Sequence, residues 1–315
     1  MLSRVADSLY WLGRYSERTE TNAHIISTQI EHMLEQNRND SEYQKEWHSV
    51  IDICGYIEQY KLVYDSYYFQ QMVHYLLIDS SNYNSIQSLI TSIRNNARNA
   101  RNVIPNELWE EWNELYLKTQ ERPEHERFSV LKTTEFLTTV RKTSLTATGI
   151  IDSLMTRDEC FQFVKIGKWI ERSEKTALIV LNLIEQEQQS SREFAVNSVL
   201  QLTNSFEEYA RRFRTRTPDE VLNFLMGDSK CSRTVAYGIR KIKRTILDIE
   251  LDVVSPYAVE LFEAIEQLEF IVKQDASVMS IEQRKNWLKE IHKLCADFGP
   301  IFARTYYLNA PILVD

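Results

Sequence analysis

Apolar residues in the first 35 positions recur at alternating spacings of four and three. Val5, Leu9, Leu12, Ser16, Thr19, Ala23, Ile26, Ile30 and Met33 fall on one line, the stripe by which a helix faces a partner helix. Ser3 can cap the first turn, so one helix is predicted from 3 to about 35. At Ser16, Thr19 and Ala23 the stripe narrows, and small side chains there admit another helix at close range. Phe163, Ile166, Ile170, Ser173, Ala177, Val180 and Ile184 draw the same stripe later in the chain. The pattern between and beyond them predicts helices over 42–60, 68–78, 85–104, 106–118, 128–155, 256–274 and 281–308. The segments 37–41, 79–84 and 121–127 read as polar connections, with Ser85 capping the helix after the second of them. Gly299-Pro300 reads as the turn that ends a helix.

The two stripes belong to a repeated stretch. Residues 13–26 read GRYSERTETNAHII and residues 167–180 read GKWIERSEKTALIV, and six of the 14 pairs, 154 positions apart, are identical. They include Gly13/Gly167, Glu17/Glu171, Arg18/Arg172 and Glu20/Glu174. At a shift of 149, residues 49–60 (SVIDICGYIEQY) match 198–209 (SVLQLTNSFEEY), and 75–80 match 224–229. A period near 150 is too long for a short-repeat solenoid. The expectation is an all-α fold of two pseudo-repeated helical halves, about 1–127 and 155–250, packed through the two signature helices into one elongated or compact bundle. Closing helices would follow over 256–312, the whole forming a single domain.

The opening MLSRVADSLYWLGRYSERTE, NARNARNVIPNELWEEWNELY (96–116) and MTRDECFQFVKIGKWIERSE (155–174) resemble the alpha-E family, helical proteins marked by a Glu-Arg motif. The resemblance runs nearly end to end. It implies a genomic setting beside ATP-grasp-type ligases and transglutaminase-like proteins, and a role in peptide ligation or modification as an accessory or substrate-handling component. Such a ligase or transglutaminase-like protein is the partner it implies. The positions that match the family's glutamates and arginines are Glu17, Arg18, Glu171 and Arg172.

Composition agrees with long helices: only 7 Gly and 6 Pro in 315 residues, with 43% hydrophobic and 26% charged side chains. A net charge of −8 speaks against nucleic acid and anionic membranes as partners of the whole surface. Cys54, Cys160, Cys231 and Cys295 form no CxxC pair, which suits a reducing compartment and neither a disulfide framework nor zinc. No run approaches the ~18 apolar residues of a membrane span, and a cytoplasmic protein is expected. Self-association is left open.

Three constellations carry candidate chemistry. Arg14, Glu17, Thr21 and His24 share one side of the first helix, with Arg18 beside them, and Lys168, Glu171 and Lys175 repeat the arrangement beside Arg172. One reading is a set of interhelical salt bridges. The other is a polar site in which Arg14, Arg18, Lys168 and Arg172 bind an anion while Glu17, Glu20, Glu171 or Glu174 orients it or moves a proton. Arg94, Arg98 and Arg101 form the second constellation, a row on one helix face suited to carboxylate or phosphate; they could equally pair with Glu17, Glu20 and their counterparts. The third, a metal centre, lacks the Glu-x-x-His of di-iron bundles in either signature helix, and no metal or cofactor is expected. No glycine-rich phosphate loop is present either, so a partner would supply any ATP.

Overall fold

The structure is a computed structural model that describes residues 2–35, 40–121, 129–186 and 192–307. Among the described residues every regular element is helical. The chain divides into two compact units, one of Tyr15–Met155 and one of Met1–Arg14 with Thr156–Asp315. The first helix, α1 (Ser3–Glu35), contributes its first turns to the second of these and the rest to the first. Of the 121–127 connection, all but Glu121 lies outside the described residues, as do 308–315.

The 15–155 unit continues with α2 (Asp40–Cys54), α3 (Ile57–Val63), α4 (Phe69–Leu77), α5 (Ile86–Asn99), α6 (Asn106–Glu121) and α7 (Val130–Leu154). Its core gathers the α1 stripe at Ile25, Ile26 and Ile30 with Trp47, Ile51, Tyr60, Val73, Leu89, Ile93, Trp112, Leu137 and Val140, all at most 1% exposed. The 42–60 expectation proves to be two helices. Gly55 and Tyr56 break it, and Tyr56 is extended (φ −145°, ψ 114°). The Tyr75 hydroxyl satisfies both backbone groups of Tyr56, accepting from its N–H at 3.2 Å and donating to its carbonyl at 3.0 Å. That side chain lies nineteen residues away, so local periodicity could not announce the break. α5 stops at Asn99, where Ala100 leaves helical geometry (φ −96°, ψ 8°), and Pro105 disfavours helix at Ile104. Ser85 caps α5 as expected, accepting from the Ser88 N–H.

The other unit is built from the start of α1 with α8 (Glu159–Gln186), α9 (Arg192–Leu202), α10 (Phe206–Arg212), α11 (Pro218–Gly227), α12 (Val235–Ile249), α13 (Val259–Ile271) and α14 (Ile281–Tyr306). The starts of α10, α11 and α12 follow those of α3, α4 and α5 by 149 residues in each case. The α9–α10 break, like that after α2, falls where the backbone leaves helix, with Asn204 in the left-handed region at φ 53°. α14 does not end at Gly299-Pro300 but runs through it to Tyr306. Proline forfeits one helical hydrogen bond there, and the helix persists because Phe298 and Phe302 on either side are fully buried.

In this unit α1 and α8 approach closely at Gly13 and Gly167. A methyl group on Gly13 would overlap the Val164 carbonyl oxygen, and one on Gly167 the Tyr10 carbonyl oxygen. Each glycine therefore lets the backbone of α1 or α8 lie directly against the other. The small residue Ser173 instead receives α12, at Gly238.

The Glu-Arg cluster as a candidate functional site

Arg14 follows Gly13 on α1 and is 5% exposed. Its Nε donates to Glu171 Oε2 at 2.7 Å, Nη1 donates to the Tyr10 hydroxyl oxygen at 3.3 Å, and Nη2 donates to Glu174 Oε2. Glu171 is 1% exposed. Burial disfavours the charge on Arg14, but Glu171, Tyr10 and Glu174 outweigh it and hold the guanidinium firmly protonated. Burial raises the Tyr10 phenol above its ordinary value, with Arg14 opposing. α14 closes the cluster. Gly299 leaves room for the Tyr10 hydroxyl, from which a methyl group would stand only 3.0 Å. Cys295 is fully buried, and burial together with Glu174 pushes its thiol far above the usual range, which leaves it a poor nucleophile. On the outer edge Glu174 Oε1 stands 3.8 Å from His292 Nε2, with those side chains 17% and 34% exposed.

The arginine of each Glu-Arg pair has another task. Arg18 Nη1 donates to Asn84 Oδ1 at 2.9 Å, and Asn22, one turn on, donates to the Asn84 carbonyl at 3.2 Å. In the other unit Arg172 Nη1 donates to the Ser232 carbonyl at 3.1 Å, and Thr176, one turn on, donates to the Arg233 carbonyl at 3.1 Å. Asn84 and Arg233 are the residues just before the caps of α5 and α12. Each arginine also covers the aromatic ring three residues before it, Tyr15 at 5.7 Å and Trp169 at 5.0 Å. Within each unit, then, the motif's arginine fastens its helix to the loop that leads into α5 or α12.

Of the residues singled out from sequence, the structure brings Arg14, Glu171 and Glu174 together. Glu17 and Glu20 are buried on α1, at 3% and 5% exposure. Lys168 is half-buried beside Trp169. Arg94 and Arg98 lie on α5 and Arg101 just past its end, and Arg94 binds Asn113 Oδ1 at 2.8 Å rather than a glutamate. Sequence reasoning did not find Tyr10, Cys295 or His292. The position matching Tyr10 is Val164, so repetition gave no signal for it. Asn22 matches Thr176, and their shared role was hidden by the change of residue type.

Among the described residues, no His, Cys, Asp and Glu side chains group in threes to hold a metal ion, and no helix is long and apolar enough to cross a membrane. The Alpha-E family model, described as a predicted alpha-helical domain with a conserved ER motif, matches residues 1–307. No curated protein and no solved structure matches the chain.

Proposed function

The chain belongs to the Alpha-E family, and from that premise we propose that it is an accessory, substrate-handling component of an ATP-grasp-linked peptide ligation or modification system. The observation that carries the accessory part is the state of Arg14. All three arms of its guanidinium are engaged by Tyr10, Glu171 and Glu174 in a site 5% exposed. A substrate anion would have to displace a carboxylate already in place, at a cost in desolvation and lost pairing. The same holds on a smaller scale for Arg18 and Arg172, which hold loops. The signature is thus read as the fastening of a scaffold rather than as a reaction centre. The link to a ligase rests on the resemblance of the chain to its family, and it agrees with a sequence that lacks a phosphate-cradling glycine loop. On this reading the protein works in the cytoplasm, its partner supplies the ATP, and its two sets of helices are copies of one ancestral unit.

Affinity purification from cells expressing the protein at native level tests the proposal. An ATP-grasp-type ligase or a transglutaminase-like protein is expected among the captured partners. Reproducible absence of both overturns the assignment.

A further inference from the structure

From residue 80 to residue 106 the chain has no Asp or Glu, although 45 of its 315 residues are acidic. The stretch holds three arginines, all on α5 or just past its end, and α5 itself carries no acidic residue. Arg94, Arg98 and Arg101 follow the i, i+4, i+7 spacing of one helix face. Arg98 and Arg101 are exposed and Arg94 is half-buried. No ion pair of these three occurs among the described residues. In a protein of net charge −8, partners for them would have been easy to supply.

The neighbouring face of α6 holds the arginines without neutralising them. Trp109, Asn113 and Tyr116 line it at the same helical spacing. The Arg94 guanidinium stands 4.5 Å from the Tyr116 ring centre and 5.5 Å from that of Trp109, and Arg101 stands 5.4 Å from Trp109. At about 100° per residue, Glu107, Glu111 and Glu114 point well over 100° away from that line. Stacking on rings fixes the planes of two guanidiniums while leaving their charge uncancelled. Guanidiniums held against rings without a carboxylate partner lose little freedom when they grip carboxylates in a bidentate fashion.

We propose that the α5–α6 face docks an acidic peptide segment of a partner protein. The proposal stands apart from the ligase assignment and does not depend on it. Arg94 to Arg98 spans about 6 Å along the helix and Arg101 lies just past its end, so a short Glu- or Asp-rich tract of extended residues suffices. Nucleic acid is disfavoured by the overall charge, by the few phosphates that three arginines could neutralise, and by guanidiniums that cover the aromatic faces a base would stack on.

The test measures binding of a fluorescently labelled Glu-rich peptide to the full chain, against a single-stranded oligonucleotide of equal charge. Arg98→Ser and Arg101→Ser, singly and together, are compared with a Lys118→Ser/Lys132→Ser control that removes the same charge from the same unit. All four side chains are exposed, so melting curves should match wild type. The peptide should bind, each arginine removed should weaken it roughly fivefold, and the control should change it less than twofold. Four results would each overturn the proposal: no peptide binding even at low salt, equal loss in the control, tighter binding of the oligonucleotide, or a wild-type dimer that the double variant abolishes, which would make a second copy the occupant.

Discussion

Arg14 faces two carboxylates, and that imbalance decides what each substitution should do. Glu171→Gln leaves Glu174 to neutralise the guanidinium and keeps an amide oxygen in place, so its cost should be about 1–3 kcal/mol. The single arginine is harder to replace than either glutamate. Arg18 and Arg172 act further along the two helices, and their removal should be felt in the loops they hold. Arg172→Met should speed amide hydrogen exchange across 232–238, and Arg18→Met across 84–90, with little change at α7. Unchanged exchange there would refute the loop-holding role. Asp228 adds a pH dependence. Burial acts to raise its carboxyl, but Arg212 and the N–H groups of Lys230 and Cys231 outweigh it and hold the group below the usual carboxylate range. A depressed carboxylate contributes stability that is full above its unfolded value, near pH 4, and is lost as pH falls through the lower folded value. Asp228→Asn should therefore flatten part of the acid branch of the stability profile, and an unchanged branch would contradict the pairing.

At the scale of the helix, contact at α1 and α8 depends on two missing side chains. Gly13→Ala and Gly167→Ala should each cost about 1–3 kcal/mol, since a methyl meets backbone that cannot rotate away. Gly149→Ala, in α7, meets nothing within 4 Å and should stabilise by about 1 kcal/mol through helix propensity. Denaturant melts of the three variants check the opposite signs. The helices themselves were legible because their apolar stripes are long and few breakers interrupt them. The boundaries of α3 and α5 were less so. One depends on a distant tyrosine hydroxyl, and the continuation of α14 through Pro300 depends on burial of Phe298 and Phe302, neither of which a local pattern records. The stripe's small residue Ser173 does receive another helix, at Gly238, but the stripe did not point to the bare backbone contact at Gly13 and Gly167.

For the whole molecule, repetition along the chain was the most informative signal. It marked Gly13/Gly167 and Glu17/Glu171 as a set and matched 49–60 with 198–209, but it did not show the breaks before α3 and α10. It could not reveal Tyr10, whose matching position is Val164, or the α14 groups, which lie outside the repeated stretches. Nor could it choose between a salt-bridge network and an anion site, since both require the same residue types at the same spacing. Burial and partners support the network, as proposed above. The most direct test is the thermal stability of Arg14→Met. A side chain of similar length without charge takes from Glu171 and Glu174 the guanidinium that both engage. If the signature fastens the fold, the melting temperature should fall by roughly 5–10 °C, for a cost of about 3–5 kcal/mol in a chain of this size. An unchanged or raised melting temperature would contradict the account and return Arg14 to the role of a site residue held at the expense of stability.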